Sequence, residues 1–155
     1  MIRIDKNYRL AETFRRGIEL STFSNAPMNH FPLGCCGVAS MLLSQYYIDN
    51  GIQAWYQNGN YHTSVEGIIQ SHAWIVLEKG IIVDITGDQF KNKFEYSFFD
   101  TPVYVGKEKA FHKMFIKEAL RPGGYRVYDE ATVRRCDALY KLILESIELW
   151  NKRNN

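Results

Sequence analysis

The chain has 155 residues, 46% of them hydrophobic, with a formal charge of only +2, which is enough apolar material for one compact domain without disulfide staples. Its basic residues are scattered, the densest pairs being Arg15-Arg16 and Arg134-Arg135 on helical stretches, so neither nucleic acid nor an anionic membrane is expected as a partner. Three cysteines, two of them adjacent, argue against a disulfide framework and for a reducing, cytoplasmic setting.

Taken in chain order, the charged start Met1–Lys6 does not read as a secretory signal, and no apolar run reaches the length of a membrane span. Residues 8–20 place Leu10, Phe14 and Ile18 at helical spacing with Arg15, Arg16 and Glu19 outward. From Ser21 to Gly34 the Ser, Asn, Pro and Gly content describes a loop. Helical spacing resumes over Cys36–Asp49 in Val38, Met41, Leu42, Gln45 and Tyr46, and Asn50-Gly51 closes that helix. A strand is expected over 52–56, a loop or short strand over 62–70, clear strands over 71–77 and 81–86, and a further strand over 101–105. Residues 110–119 read as helix, Pro122-Gly123-Gly124 as a break, and 130–152 as a long helix carrying Val133, Leu139, Ile143, Ile147 and Trp150. No repeat or long linker divides the chain, so residues 1–155 are expected to form a single domain.

The stretch Glu78-Lys79-Gly80 suits a three-residue hairpin loop, with glycine at a left-handed position. That loop pairs Leu77 with Ile81 and places Ala73, Ile75, Leu77, Ile81, Val83 and Ile85 on one wholly apolar face. A two-residue loop scrambles the alternation. The opposite face then carries His72, Trp74, Val76, Ile82, Asp84 and Thr86. Trp74 stands across from Asp84, and His72 lies diagonal to Asp84, within reach of a side-chain hydrogen bond. An aspartate within an apolar strand is costly unless paired, and His72 is the partner the register supplies.

A thiol stands where the Pro32–Gly34 loop turns into a helix. Helix N–H groups and the helix dipole stabilise a thiolate, a histidine can take its proton, and a carboxylate can orient the histidine. Cys36, one residue deeper into the helix start and followed by Gly37, is the preferred nucleophile, with His72 as base and Asp84 as orienting carboxylate. Cys35 is read as a packing neighbour or redox partner, and Cys136 as structural. Asp88 is the alternative third member if the hairpin register differs, and otherwise caps the turn after the strand. Gln89 stands beside it.

At these residues the chain resembles the papain-like superfamily in its transglutaminase-like branch, which sets Gly-x-Cys at a helix start, His-Ala-Trp on a strand and Asp-x-Thr on the next. The matching residues are Gly34-Cys35-Cys36, His72-Ala73-Trp74 and Asp84-Ile85-Thr86, in the family order. The stretch from Phe31-Pro32 to Cys36, with Ser71–Trp74 and Asp84–Phe90, also resembles small bacterial proteins of this type, so the resemblance spans roughly residues 30–106. It implies an α+β fold: the Cys-bearing helix packed on an antiparallel sheet, with an extra N-terminal helix and a long C-terminal helix flanking it. It also implies the roles given above for Cys36, His72 and Asp84. The segment between His72 and Asp84 is shorter than in large transglutaminases, and a counterpart to the papain-type oxyanion-hole glutamine is not evident. Asn29, His30 and Gln70 are the candidates by proximity.

The expected function is thiol-dependent acyl transfer, either amide or peptide hydrolysis or transglutaminase-like exchange. It would proceed through a thioester, without cofactor or metal, on a peptide, protein or small amide. Superfamily members include inactive relatives, so the alternative is a non-catalytic interaction or immunity-type protein with a protein partner. A metal module built from Cys35, Cys36, His30, His62 and His72 is disfavoured, because no C-x-x-C or H-x-x-x-H spacing occurs.

Overall fold

The computed structural model describes residues 2–91 and 99–155, with side chains from Lys6 onward. Among the described residues four helices form: α1 (Ile2–Leu20), α2 (Cys36–Asp49), the single turn α3 (Ala110–Lys113) and α4 (Glu130–Arg153). Asp129 caps α4, its Oδ1 accepting the Thr132 N–H at 3.0 Å. α1 packs on α4 through Phe14, Ile18, Ile143 and Ile147. The approach is close enough that a Cβ on Gly17 would come within 2.6 Å of Ile147.

Among the described residues six strands make one antiparallel sheet: β1 (Ala54–His62), β2 (Ile69–Leu77), β3 (Ile82–Asp84), β4 (Tyr104–Gly106), β5 (Ile116–Lys117) and β6 (Arg121–Pro122). The order is β4-β3-β2-β1-β5, with β6 also paired to β1. The architecture is therefore mixed α+β. Among the described residues no helix is long and apolar enough to cross a membrane.

The hairpin has the three-residue loop. Ile75 pairs with Val83 and Val76 with Ile82, and the Leu77 N–H donates to the Ile81 carbonyl at 2.7 Å. Lys79 and Gly80 take φ values of 63° and 73° in the loop. One face of the sheet, with Ile75, Leu77, Val83 and Ile85, meets α1, α2 and α4 in the main core. The other buries Trp74 and Ile82 under Phe90, Phe99, Phe111 and Phe115 in a second, aromatic core.

Several boundaries differ from the sequence pattern: α1 already starts at Ile2, β1 starts at Ala54, β3 starts at Ile82, the strand expected over 101–105 forms as Tyr104–Gly106, and the short strands β5 and β6 are not expected from it. β1 runs to His62 and β2 starts at Ile69, because the polar run Gln57–Asn60 stays in the ladder, Gln57 with Trp74, Asn58 with Ala73 and Gly59 with His72, and carries the pairing on to His62 with Ile69. β3 stops at Asp84, because the Thr86 N–H turns back to Asp84 Oδ1 at 3.0 Å and leaves the ladder. The helix expected over 110–119 ends at Lys113. There Phe115 drops into the aromatic core, and Ile116 and Lys117 pair with Asn60 and Gly59 instead. Gly59 permits this, since a Cβ there would stand 2.8 Å from the Phe115 Cβ.

Candidate active site

Cys36 is the first residue of α2 and is half-buried, whereas Cys35 at the N-cap is 1% exposed and packed in the main core. The Cys35 side chain makes no capping hydrogen bond to this helix, and the N–H groups of its first turn have no intrahelical partners. The entering loop is anchored from the far end of β3: Gln89 Oε1 accepts the Gly34 N–H at 3.2 Å, and Gln89 Nε2 donates to the Thr86 carbonyl at 3.0 Å. Gly34 has φ +67°, a left-handed conformation that favours glycine. One turn into the helix, Ser40 Oγ donates to the Ala73 carbonyl at 3.1 Å. Cys36 is thereby held against β2 beside His72.

His72 and Asp84 meet as the register requires. Nε2 of His72 lies 2.8 Å from Oδ2 of Asp84, with both side chains fully buried. A second histidine, His112, brings its own Nε2 to the same oxygen at 2.9 Å. With the Thr86 N–H on Oδ1, Asp84 accepts three hydrogen bonds. An ionised carboxylate only accepts, so His72 carries its hydrogen on Nε2. Among the described residues its Nδ1 has no other partner and is left for the Cys36 thiol. Rings fix the imidazole in place: Phe90 at 5.1 Å edge-on, with Trp74, Phe111 and Phe115 between 5.5 and 5.6 Å. Gly87 closes over the carboxylate, where a Cβ would stand 3.0 Å from Asp84 Oδ2 and 2.3 Å from Phe99.

The electrostatics separate the two adjacent thiols. Burial pushes Cys36 up, but hydrogen bonding and charge from His72, with a backbone hydrogen bond from Ala73, outweigh it and leave the thiol below its ordinary value. Burial and the neighbouring Cys36 push Cys35 up to about 12. Burial opposes the charged form of His72, yet the Asp84 carboxylate and Cys36 raise it to about 9. Asp84 is opposed by burial in the same way, but the charge of His72 and hydrogen bonds from both histidines hold its carboxyl below the usual range. This arrangement favours a thiolate–imidazolium pair at Cys36 and His72.

The remaining sequence candidates fall elsewhere. Asp88 is not a member of this cluster. Its two oxygens accept from Arg15 Nη1 and Nη2 at 2.7 and 2.8 Å, and Arg15 also donates to the Ile85 and Pro102 carbonyls. Asp88 thus clamps α1 to the end of β3, because a buried guanidinium needs a paired carboxylate. Trp74 is buried against His112, ring centroids 4.9 Å apart. Asn29 and His30 are exposed on a 3-10 turn, and the Gln70 amide donates to the Ser71 carbonyl. Cys136 is buried on α4, its sulfur 4.0 Å from that of Met41. Among the described residues no group of three or more His, Cys, Asp or Glu is arranged to hold a metal ion.

His112 is the residue the sequence pattern missed. Its one local signal is a histidine between Phe111 and Met114-Phe115, a polar side chain inside an apolar stretch, which needs a partner if buried. Comparison with protein-family models, curated proteins and solved structures finds nothing that matches this chain.

Proposed function

We propose that the protein is a thiol-dependent acyl-transfer enzyme on a papain-like, transglutaminase-like core, with Cys36 as nucleophile, His72 as proton carrier and Asp84 as the carboxylate that orients it. The carrying observation is that the buried His72 commits Nε2 to Asp84 and leaves Nδ1 to the half-buried thiol at the start of α2. In that geometry the Cys36 thiolate adds to an amide or ester carbonyl, and the carbonyl electron pair moves onto oxygen. The His72 Nδ1–H protonates the departing amine or alcohol as the intermediate collapses to a thioester. Water or a second amine, deprotonated by the now neutral His72, attacks the thioester and returns the thiolate. Asp84 keeps the imidazole in the required tautomer throughout.

The test is alkylation. Iodoacetamide at neutral pH is expected to label Cys36 rapidly and stoichiometrically, and the His72→Ala variant to lose that rate. Labelling no faster than a free thiol in the parent protein contradicts the reading.

A further inference from the structure

An acyl-transfer site of this kind needs a donor for the developing oxyanion in addition to helix N–H groups, and the sequence candidates for it lie exposed or are bonded to backbone. β1 supplies another group. Tyr56 pairs with Ile75 across the ladder and so faces α2, is 8% exposed, and its hydroxyl has no hydrogen-bond partner among the described residues. Gly37 follows the nucleophile directly. A Cβ built on it would lie 3.4 Å from the Tyr56 hydroxyl oxygen and, its chain neighbours and the helix's own backbone aside, within 4 Å of no other described residue. The missing side chain leaves a small space bounded by the first turn of α2 on one side and a buried phenol on the other.

We propose that the Tyr56 hydroxyl is the side-chain donor of the oxyanion hole, acting with the N–H groups at the start of α2 on a carbonyl oxygen seated beside Gly37. This rests on the acyl-transfer reading of Cys36. Arg121, opposite Tyr56 in the β1–β6 register, lays its guanidinium over the ring 4.6 Å from the centroid and steadies the phenol from its outer face. Burial, then the charge of Cys36, pushes the hydroxyl above its ordinary value, so it retains the proton that a donor must carry.

Two probes separate this role from support of the thiol. Acylation by p-nitrophenyl acetate joins the Cys36 sulfur to the carbonyl carbon through an oxyanion and expels p-nitrophenolate. Alkylation by iodoacetamide displaces iodide at a saturated carbon and forms no oxyanion. Acetylation of Cys36 is followed by the nitrophenolate burst and the intact mass, and alkylation by mass alone. For Tyr56→Phe the expected result is acylation slowed about 100-fold, the scale of losing one oxyanion donor, with alkylation at the parent rate. Gly37→Ala fills the space for the oxygen without disturbing the helix, and is expected to slow acylation selectively in the same way. Parent-like acylation in Tyr56→Phe overturns the proposal, as does an equal fall in both rates, which marks Tyr56 as support for the thiolate. A parent protein that alkylates rapidly but never acetylates at Cys36 instead overturns the acyl-transfer reading, and this inference with it.

Discussion

Removing the second histidine tests whether Asp84 is held by three donors. His112 is fully buried, donates to Asp84 Oδ2 at 2.9 Å, and packs against Trp74, Phe99 and Tyr104 with ring centroids 4.9 to 5.6 Å away. A hydrogen bond to a buried charge contributes about 1.5–3 kcal/mol. Truncating a ring in a closed core adds about 2 kcal/mol more, below the usual phenylalanine-to-alanine cost because imidazole is smaller. His112→Ala is therefore expected to lose about 3.5–5 kcal/mol, a large part of the 5–15 kcal/mol typical of a domain. His112→Phe keeps most of the packing and is expected to lose only the hydrogen-bond share. Denaturant unfolding of both variants, with constant m-values, measures the two costs separately. A His112→Phe variant as stable as the parent, with His112→Ala costing about 2 kcal/mol or less, refutes the hydrogen bond and leaves His112 as packing alone.

Asp88→Ala should cost about 3 kcal/mol by stranding the Arg15 guanidinium, yet leave Cys36 alkylation unchanged, and a lost alkylation rate would instead place Asp88 in the proton-transfer chain. Peptide mapping after brief iodoacetamide treatment should find the label on Cys36 and not on Cys35, whose thiol is pushed up to about 12. The pH profile of Cys36 alkylation should have its midpoint below the ordinary thiol value of 9.0. In His72→Gln it should move up, because only the backbone hydrogen bond from Ala73 then opposes burial. Since the Asp84 carboxyl sits below its unfolded value of 3.8, the stability it contributes is complete above that pH and is lost as pH falls further. Melting temperature should decline more steeply below pH 3.8 for the parent than for Asp84→Asn.

Short-range pattern was enough for the central pair. The apolar alternation over Ala73–Ile85 admits one loop length, and the pleat then sets His72 diagonal to Asp84 whatever surrounds the hairpin. The helix start at Cys36 was legible for the same reason, since Pro32, Gly34 and the spacing after Val38 act within a few residues of the thiol. What lies far apart in sequence was decided by tertiary packing. Asp88 is taken from any catalytic role by Arg15, 73 residues away, because α1 lies against the end of β3. His112 reaches Asp84 across 28 residues only because the aromatic core draws in Phe111 and Phe115 and stops the helix between them. Tyr56 sat in an expected strand with no sign of its facing Gly37, since that depends on how α2 crosses β1. Periodicity determines which face of its own element a residue occupies. Which element covers that face is settled by long-range burial, through competition among all the apolar surfaces of the chain.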